Sequence, residues 1–480
     1  MASKILKDGT VLTFDEASQS TRVLRKASIL IQNGRIAAIE EQSDNLPAPA
    51  GTEIVDVLGR IVSPGFVNTH VHMWQTAYRS MGPNVTLSQY FGWVSHASPM
   101  AQVAFKPDDV YISSLEGYLE GIHSGVTSYV EHAHNNWSES VMEAGYRAAA
   151  DCGARIWWCY DVADRDNFSV DDQWAAMERL LQTSQPLLLP GLSLDGQGSI
   201  LKGDSTARDF IRDKAAKLNL QVLTLHHLGG PWPHTSTSPT ALCSGKRMHE
   251  TGLPIILSHA PYLTESDQQA LREHDLFVSI TPESESHYGH GQATGHKISD
   301  QACLGLDTVW TFSGDMLSQA RLWLQLVRLR KYTKTLDTGR LPNASPMAVE
   351  QAFLLATRQG GRALRRNDIG VIKVGAKADL AVFSGDSPNM LGWSDPVAAV
   401  VLHANAGEIE HVMVDGEWRK RDFRLVNLPT PWDEVRSRFL EASERIQPQM
   451  ANPPALPEKL WGVGEFGDVD NVTTIRETSG

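Results

Sequence analysis

The chain has 480 residues, a formal net charge of −13, 41% hydrophobic and 21% charged residues. That length predicts one large domain with a smaller one beside it, and the composition is that of a soluble globular enzyme. The acidic balance, with no long basic run, argues against nucleic acid as a partner, and no apolar run reaches the roughly 20 residues of a membrane span. Cys152, Cys159, Cys243 and Cys303 are widely spaced and form no CxxC. Such usage suits a reducing compartment and argues against a disulfide framework or a Cys-rich zinc site. The opening MASKILKDGTVLTF has no long apolar core behind its lysines. No signal peptide is expected, and a cytoplasmic location is.

Taken in chain order, residues 1–60 hold short strand-like pieces, with Asn33-Gly34 as a strong hairpin signal. The run IVSPGFVNTHVH (61–72) follows. Its apolar residues predict a buried strand, and strand alternation turns His70 and His72 to the same side, where two imidazoles can converge on one metal ion. A polar edge strand that carries two histidines is the plainer reading of an isolated HxH. From residue 64 to 360 strand-like runs alternate with helical segments, the pattern of a parallel α/β fold. The strand candidates are GFVNTHVHM, VTSYVEHAH, ARIWWCYDV, PLLLPGLSL, LQVLTLHHL, PIILSHA, LFVSITPES and TVWTFSGD. Eight is the count a closed barrel requires. Strands return in IGVIKVGAKADLAVFSG (369–385) and IEHVMVDGEWRKR (409–421), with a turn at Asp415-Gly416. Residues 430–447 predict a helix, and a Pro-rich, polar arm follows.

The segment PGFVNTHVHMWQT resembles the opening motif of the amidohydrolase superfamily, metal-dependent hydrolases built on a (β/α)₈ barrel. VTSYVEHAHN resembles the strand-two segment of its triazine-hydrolase relatives, and Trp74-Gln75 continue the first motif as HxHxxQ. The resemblance is to the branch of cytosine, guanine and triazine deaminase-like proteins. It implies an α/β fold in which residues 64–362 form the (β/α)₈ TIM barrel. Residues 1–63 and 363–425 would form the two parts of a small β-sandwich. Residues 426–480 would be a terminal helix and extended arm.

Barrel chemistry sits at the C-terminal ends of the strands. His70 and His72 end the first. In TLHHL, alternation makes His226 the inward histidine and turns His227 away. His259 ends the sixth strand candidate and Asp315 the eighth. These positions match the superfamily's mononuclear pattern, which implies His70, His72, His226 and Asp315 as ligands of one Zn²⁺ per subunit, with Fe²⁺ as the alternative. Asp315 also stands where it would cap the next helix. Glu131, His132 and His134 end the second strand, where they either shape the pocket and bind substrate or hold a second, weak metal. A divalent metal supplies hydroxide at neutral pH, Asp315 would move the proton, and His259 would polarise the reacting centre. Both are therefore expected to be catalytic.

In this branch HxxE usually follows strand five, and its Glu protonates the substrate ring. Here Gly229 stands in that place. His227, His132, Glu283 and Glu285 are the candidate replacements, unless the substrate needs no acid. Substrate contacts are expected from Trp74, Gln75, Trp93, Glu131, His132, Trp232 and Glu283, because aromatic rings over a barrel mouth suit a flat, partly apolar ligand. The expectation is hydrolysis of a C–N bond (amide, lactam or ring amino group) in a small cyclic or aromatic molecule. The alternatives are dehalogenation, C–O cleavage or a non-hydrolytic reaction at the same metal, and a non-catalytic scaffold. A homo-oligomer is expected, with the C-terminal arm reaching across a neighbour.

Overall fold

The computed structural model describes residues 3–41, 46–183, 185–195, 205–233 and 237–472. Segments from both ends of the chain meet in one nine-stranded sheet. Lys4–Asp15, Ser20–Gln32, Arg35–Glu41, Glu53–Asp56 and Ile61–Pro64 come from the first part. Leu380–Phe383, Ile409–Val414, Glu417–Arg421 and Arg424–Leu425 come from the last. The seam is Ile61–Pro64, which pairs parallel with Lys4–Asp15 and antiparallel with Leu380–Phe383. Both expected hairpins form. Asn33 and Gly34 have φ of 49° and 73°, and Asp415 and Gly416 have 50° and 79°. Two successive positive φ values are what a two-residue turn needs to match the strand twist. Of the apolar stretch 369–385 only Leu380–Phe383 is a strand; Val371 and Ile372 reach the core from turns, packing with Leu6, Val62 and Met413.

The second sheet is parallel. Its strands are β1 (Phe66–His72), β2 (Val126–Ala133), β3 (Arg155–Asp161), β4 (Leu188–Ser193), β5 (Leu223–His227), β6 (Ile255–His259), β7 (Phe277–Ile280), β8 (Ala302–Leu304) and β9 (Asp307–Thr308). Neighbours run in the order β8-β7-β6-β5-β4-β3-β2-β1-β9. Most are buried along their whole length, as expected of strands covered on both faces. Helices between them follow ordinary end signals. Pro107–His123 opens with Pro107, Asp108 and Asp109 in its first turn, where a missing N–H costs nothing and carboxylates meet the positive end of the helix. Glu265–Glu273 starts on a Thr264–Asp267 capping box. Arg155, on β3, ties this sheet to the other one by reaching Asp379 at 3.0 Å and Asp415 at 3.0 Å.

The eighth place departs from expectation. TVWTFSGD is not a strand; after Thr308 the chain turns, and Trp310 is buried edge-on against Tyr78, ring centroids 5.8 Å apart. The strands lie earlier, in ACLGLDT. β8 pairs with β7, and β9 pairs with β1. Only Gly305 and Leu306 separate the two, and the Leu306 N–H donates to the His70 carbonyl at 3.0 Å. A Cβ on Gly305 would sit 2.6 Å from Ser279 Oγ and 2.9 Å from His70 Cβ, so only glycine lets the chain pass this close. The β-branched, aromatic run TVWTFSGD has the composition of a strand, but its burial comes from turn packing.

The terminal helix is Trp432–Gln449. Gln447 donates to the Ala77 carbonyl at 3.0 Å and Trp93 Nε1 donates to the Met450 carbonyl at 2.7 Å. The arm then crosses the chain's own surface, where Trp461 lies 4.8 Å from the Phe91 ring. The expected reach across a neighbour is thus at least partly a reach over the same chain. The last part of the arm, 473–480, lies outside the described residues.

Candidate active site

At the C-terminal end of the parallel sheet, ring nitrogens of His70, His72 and His226 and a carboxylate oxygen of Asp307 lie within 4.8 Å of one another. Asp307 Oδ1 is 3.3 Å from His70 Nε2 and 3.4 Å from His72 Nε2. Each ring is turned by its other nitrogen. His72 Nδ1 donates to the His132 carbonyl at 2.8 Å; a carbonyl only accepts, so the lone pair of neutral His72 is on Nε2. His70 Nδ1 is 2.8 Å from Ser258 Oγ. His226 Nδ1 donates to the Asp195 carboxylate, which also takes the His226 backbone N–H at 3.0 Å. Burial holds His70 and His72 well below the usual histidine range. Both are therefore neutral, the form that ligates metal. Burial also opposes charge on His226, but the carboxylate of Asp195 outweighs it and raises that ring.

Beside this group, His132 Nε2 is 3.1 Å from Asp195 Oδ2 and 2.6 Å from Ser193 Oγ. Ser193 donates to Asp161 at 3.2 Å, and Asp161 also accepts from Asn136. Burial pushes His132 down to about 4. His259, at the end of β6, has φ of 70° and places Nδ1 2.8 Å from Thr281 Oγ1. A left-handed conformation at a non-glycine residue is uncommon and collects at functional sites. Asp307, with φ of 65°, is a second instance.

The structure sets His226 and His227 on opposite sides of the strand. His226 joins the group, and His227 turns away, 3.4 Å from Thr237 Oγ1. Asp315 does not join the group. It is the N-cap of the helix Met316–Leu336, accepting from Leu317 N at 2.8 Å and Ser318 Oγ at 3.1 Å. Asp307, eight residues earlier in the chain, stands in the group instead, because the strand pairing ends at Thr308 and not at Asp315.

A cavity of about 300 Å³ opens over the group, lined among others by Leu87, Tyr90, Phe91, His96, His132, His134, Tyr288, His290 and Trp461. Of the seven expected substrate contacts only His132 lines it. Alternation sends Glu131 to the other face, where Tyr118 donates to it and burial raises it to about 7. Trp74 lies behind the wall and donates from Nε1 to His134 Nδ1 at 2.8 Å. Gln75 donates to the Val94 carbonyl at 2.8 Å and accepts from Tyr90 at 3.1 Å, pinning the wall rather than lining it. Trp93 holds the terminal helix, Trp232 donates to the His290 carbonyl at 3.2 Å, and Glu283 accepts from Gln319.

Missed in the sequence were Asp195, two residues beyond β4, and His96 and His290, which sit in loops with no periodicity to mark them. Both ring nitrogens of His290 are buried without a hydrogen-bond partner among the described residues, and the ring stands 4.6 Å from that of His259. His134 has a fixed tautomer. Its Nδ1 accepts from Trp74, so in the neutral ring Nε2 carries the hydrogen. Gly229 has φ of 73°, and a Cβ there would meet the Tyr262 carbonyl oxygen at 2.7 Å.

The chain is 26% identical over 428 residues to a 5-methylthioadenosine/S-adenosylhomocysteine deaminase of Thermococcus kodakarensis, covering 86% of this chain and 93% of the relative. An adenosine deaminase from Xanthomonas campestris with bound zinc superposes with a TM-score of 0.75 at 19% identity, over 93% of this chain and 99% of that one. A mutant atrazine chlorohydrolase from Arthrobacter aurescens, complexed with zinc and atraton, gives 0.76 at 19% identity, over 92% and 100%. The model of the amidohydrolase family matches residues 61–419, and with the His-rich group at the strand ends inside that span, this chain belongs to the amidohydrolase family.

Proposed function

We propose that the chain is a metal-dependent hydrolase that removes an amino group from, or opens a C–N bond in, a small cyclic or aromatic molecule of the adenosine-derivative class. One observation carries this reading: His70, His72, His226 and Asp307 converge at the floor of an aromatic-lined cavity of about 300 Å³. That volume is at the small end of ligand sites. The reading takes the parallel sheet as a closed (β/α)₈ barrel and the terminal sheet as a β-sandwich, with Zn²⁺ as the metal and Fe²⁺ as the alternative.

The donor set fits a metal. His70 Nε2 is buried and has no hydrogen-bond partner among the described residues, a costly state for an imidazole nitrogen unless something else takes its lone pair. Three neutral or orientable imidazoles with one carboxylate suit a transition-series ion, and the Asp195 carboxylate behind His226 is the outer support such ligands use. When bound, a divalent ion would supply a water of lowered pKa as nucleophile and polarise the centre attacked.

The protein's own groups do the rest. Asp307 carries a carboxylate at the attack point and is the proton carrier in this reading. His259, fixed by Thr281, faces the same point and hydrogen-bonds the oxygen that develops charge. His134 Nε2–H is a fixed donor in the wall, and His290 offers a nitrogen with no competing partner among the described residues. Tyr90, Phe91, Tyr288 and Trp461 supply faces for a flat ring. Of the candidate replacements for the absent HxxE carboxylate, only His132 lines the cavity. His227 and Glu283 are engaged elsewhere, and Glu285 lies behind His259, bonded to Thr281 and Gln292.

Ammonia release from a panel of adenosine derivatives, measured with metal content, tests this reading. Turnover that disappears in Asp307→Asn is expected. A fully metal-loaded protein inert on every amino-substituted ring would refute it. Gly229 favours one second reading, hydrolytic dehalogenation, since a halide leaves without protonation. Chloride release from halogenated rings in the same panel would select it.

A further inference from the structure

Away from this cavity, three more ligand-type side chains meet. Cys243 Sγ and ring nitrogens of His249 and His274 lie within 4.8 Å of one another. Cys243 lies in the helical turn Ala241–Gly245 and His249 in the turn Met248–Thr251, both in the connection from β5 to β6. His274 caps the C-terminus of the helix Glu265–Glu273 that follows β6. The two imidazole rings stand 4.0 Å apart, tilted by 30°. Cys243 is buried. His249 Nδ1 is buried with no hydrogen-bond partner among the described residues, while its Nε2 faces Glu250 at 3.9 Å.

We propose that Cys243, His249 and His274 form a second metal site, which takes Zn²⁺ and clips the β5–β6 connection to the end of the next helix. The donor set is one thiol and two imidazoles with no oxygen ligand, which selects zinc over calcium or magnesium. An ion would occupy a His249 ring nitrogen, and Nδ1 has no hydrogen-bond partner among the described residues. His274 stands at the negative end of a helix, and Glu273 and Glu250 flank the site, which favours a cation; burial and then Glu273 push the Cys243 thiol up to about 12, so the ion itself must displace its proton. Three protein ligands leave one position for water. None of the three residues belongs to the candidate active site, so the inference stands apart from the proposed activity. On binding, the thiol proton is released to solvent and a sulfur–metal bond forms, with no redox change. The spacing, five residues between Cys243 and His249 and then a helix before His274, has no regular signature. The site was therefore invisible to motif reading.

Cobalt substitution tests it, because thiolate-to-Co²⁺ charge transfer absorbs in the near-ultraviolet and the candidate active site has no sulfur. The full chain, stripped of metal and titrated with Co²⁺, should bind about two equivalents and develop this band. Cys243→Ser should lose the band and about one equivalent while turnover stays within about twofold of the parent. His274→Gln, at a less buried position, should weaken the band without unfolding the chain. A wild-type titration with no thiolate band overturns the proposal, and so does a band that survives Cys243→Ser.

Discussion

Replacing Asp307 and Asp315 one at a time separates two assignments that the sequence confuses. Asp307→Asn keeps the shape of the side chain and the hydrogen bond from Ser284 but removes the charge that lies 3.3 and 3.4 Å from His70 and His72. In the proposed mechanism it deletes a proton carrier and a metal ligand, so kcat should fall by about 10²–10⁴-fold, the usual worth of a positioned acid or base. Metal content should fall with it. Asp315→Asn should change turnover little, because Asn caps a helix about as well as Asp. Asp315→Ala loses the bonds to Leu317 N and Ser318 Oγ and should cost about 1–2 kcal/mol in denaturant unfolding with the metal retained. The assay is ammonia release with metal analysis of each purified variant. If Asp315→Asn abolished turnover and metal binding while Asp307→Asn kept both, the placement of the eighth strand, and the site built on it, would be wrong.

Other outcomes follow from single contacts. His226→Ala should lose metal and turnover together, whereas His227→Ala, behind the wall, should keep its metal; an anomalous-scattering map with the ion on His227 would reverse the strand register. Gly229→Glu cannot restore the branch's acid, since its Cβ would meet the Tyr262 carbonyl oxygen at 2.7 Å from a φ of 73°. It should lower stability by about 1–3 kcal/mol and slow turnover, and a faster enzyme would contradict this. Glu283 is pushed up from 4.5 to about 7 by burial and then by the Asp315 carboxylate. A raised carboxyl favours the protonated folded form, so its contribution is present below the unfolded value and fades as pH rises from about 4.5 to 7. Glu283→Gln should therefore stabilise the chain by up to about 3 kcal/mol at pH 8 and by almost nothing at pH 4, and equal effects at both would refute the burial argument. A homo-oligomer remains the expectation, with Val463, Phe466, Val469 and Val472 of the arm exposed. Light scattering at the 52.8 kDa mass of one chain across micromolar concentrations would reject it.

What the sequence shows clearly is local and periodic. The hairpins at Asn33-Gly34 and Asp415-Gly416 announce themselves, since few residue pairs accept two positive φ values. The HxH of β1 and the choice of His226 over His227 follow from a period of two, which any strand enforces. Where periodicity ends, so does legibility. The eighth strand is two short pieces around Gly305, too brief to produce a pattern, and the stronger apolar run beside it belongs to a turn. Sequence pattern therefore points to Asp315 and passes over Asp307. The aromatic residues nearest the motifs in sequence, Trp74 and Trp93, hold the wall, because a large ring with one polar atom serves equally well as a brace.

The cavity itself depends on loops, and loop residues meet there by tertiary contact rather than by spacing. His96, His134 and His290 come from three different connections, yet His134 stacks on both His72 and His96, at 3.9 and 4.4 Å. Trp461 arrives from nearly four hundred residues beyond β1. The same reasoning explains the missing acid. A glutamate at position 229 would need a backbone that this chain does not have, because Gly229 and Gly230 both turn through positive φ to clear Tyr262. In the proposed reading a substrate takes its protons from Asp307 and the histidine wall, or carries a leaving group that needs none. Comparing ammonia and chloride release on matched rings distinguishes these two routes.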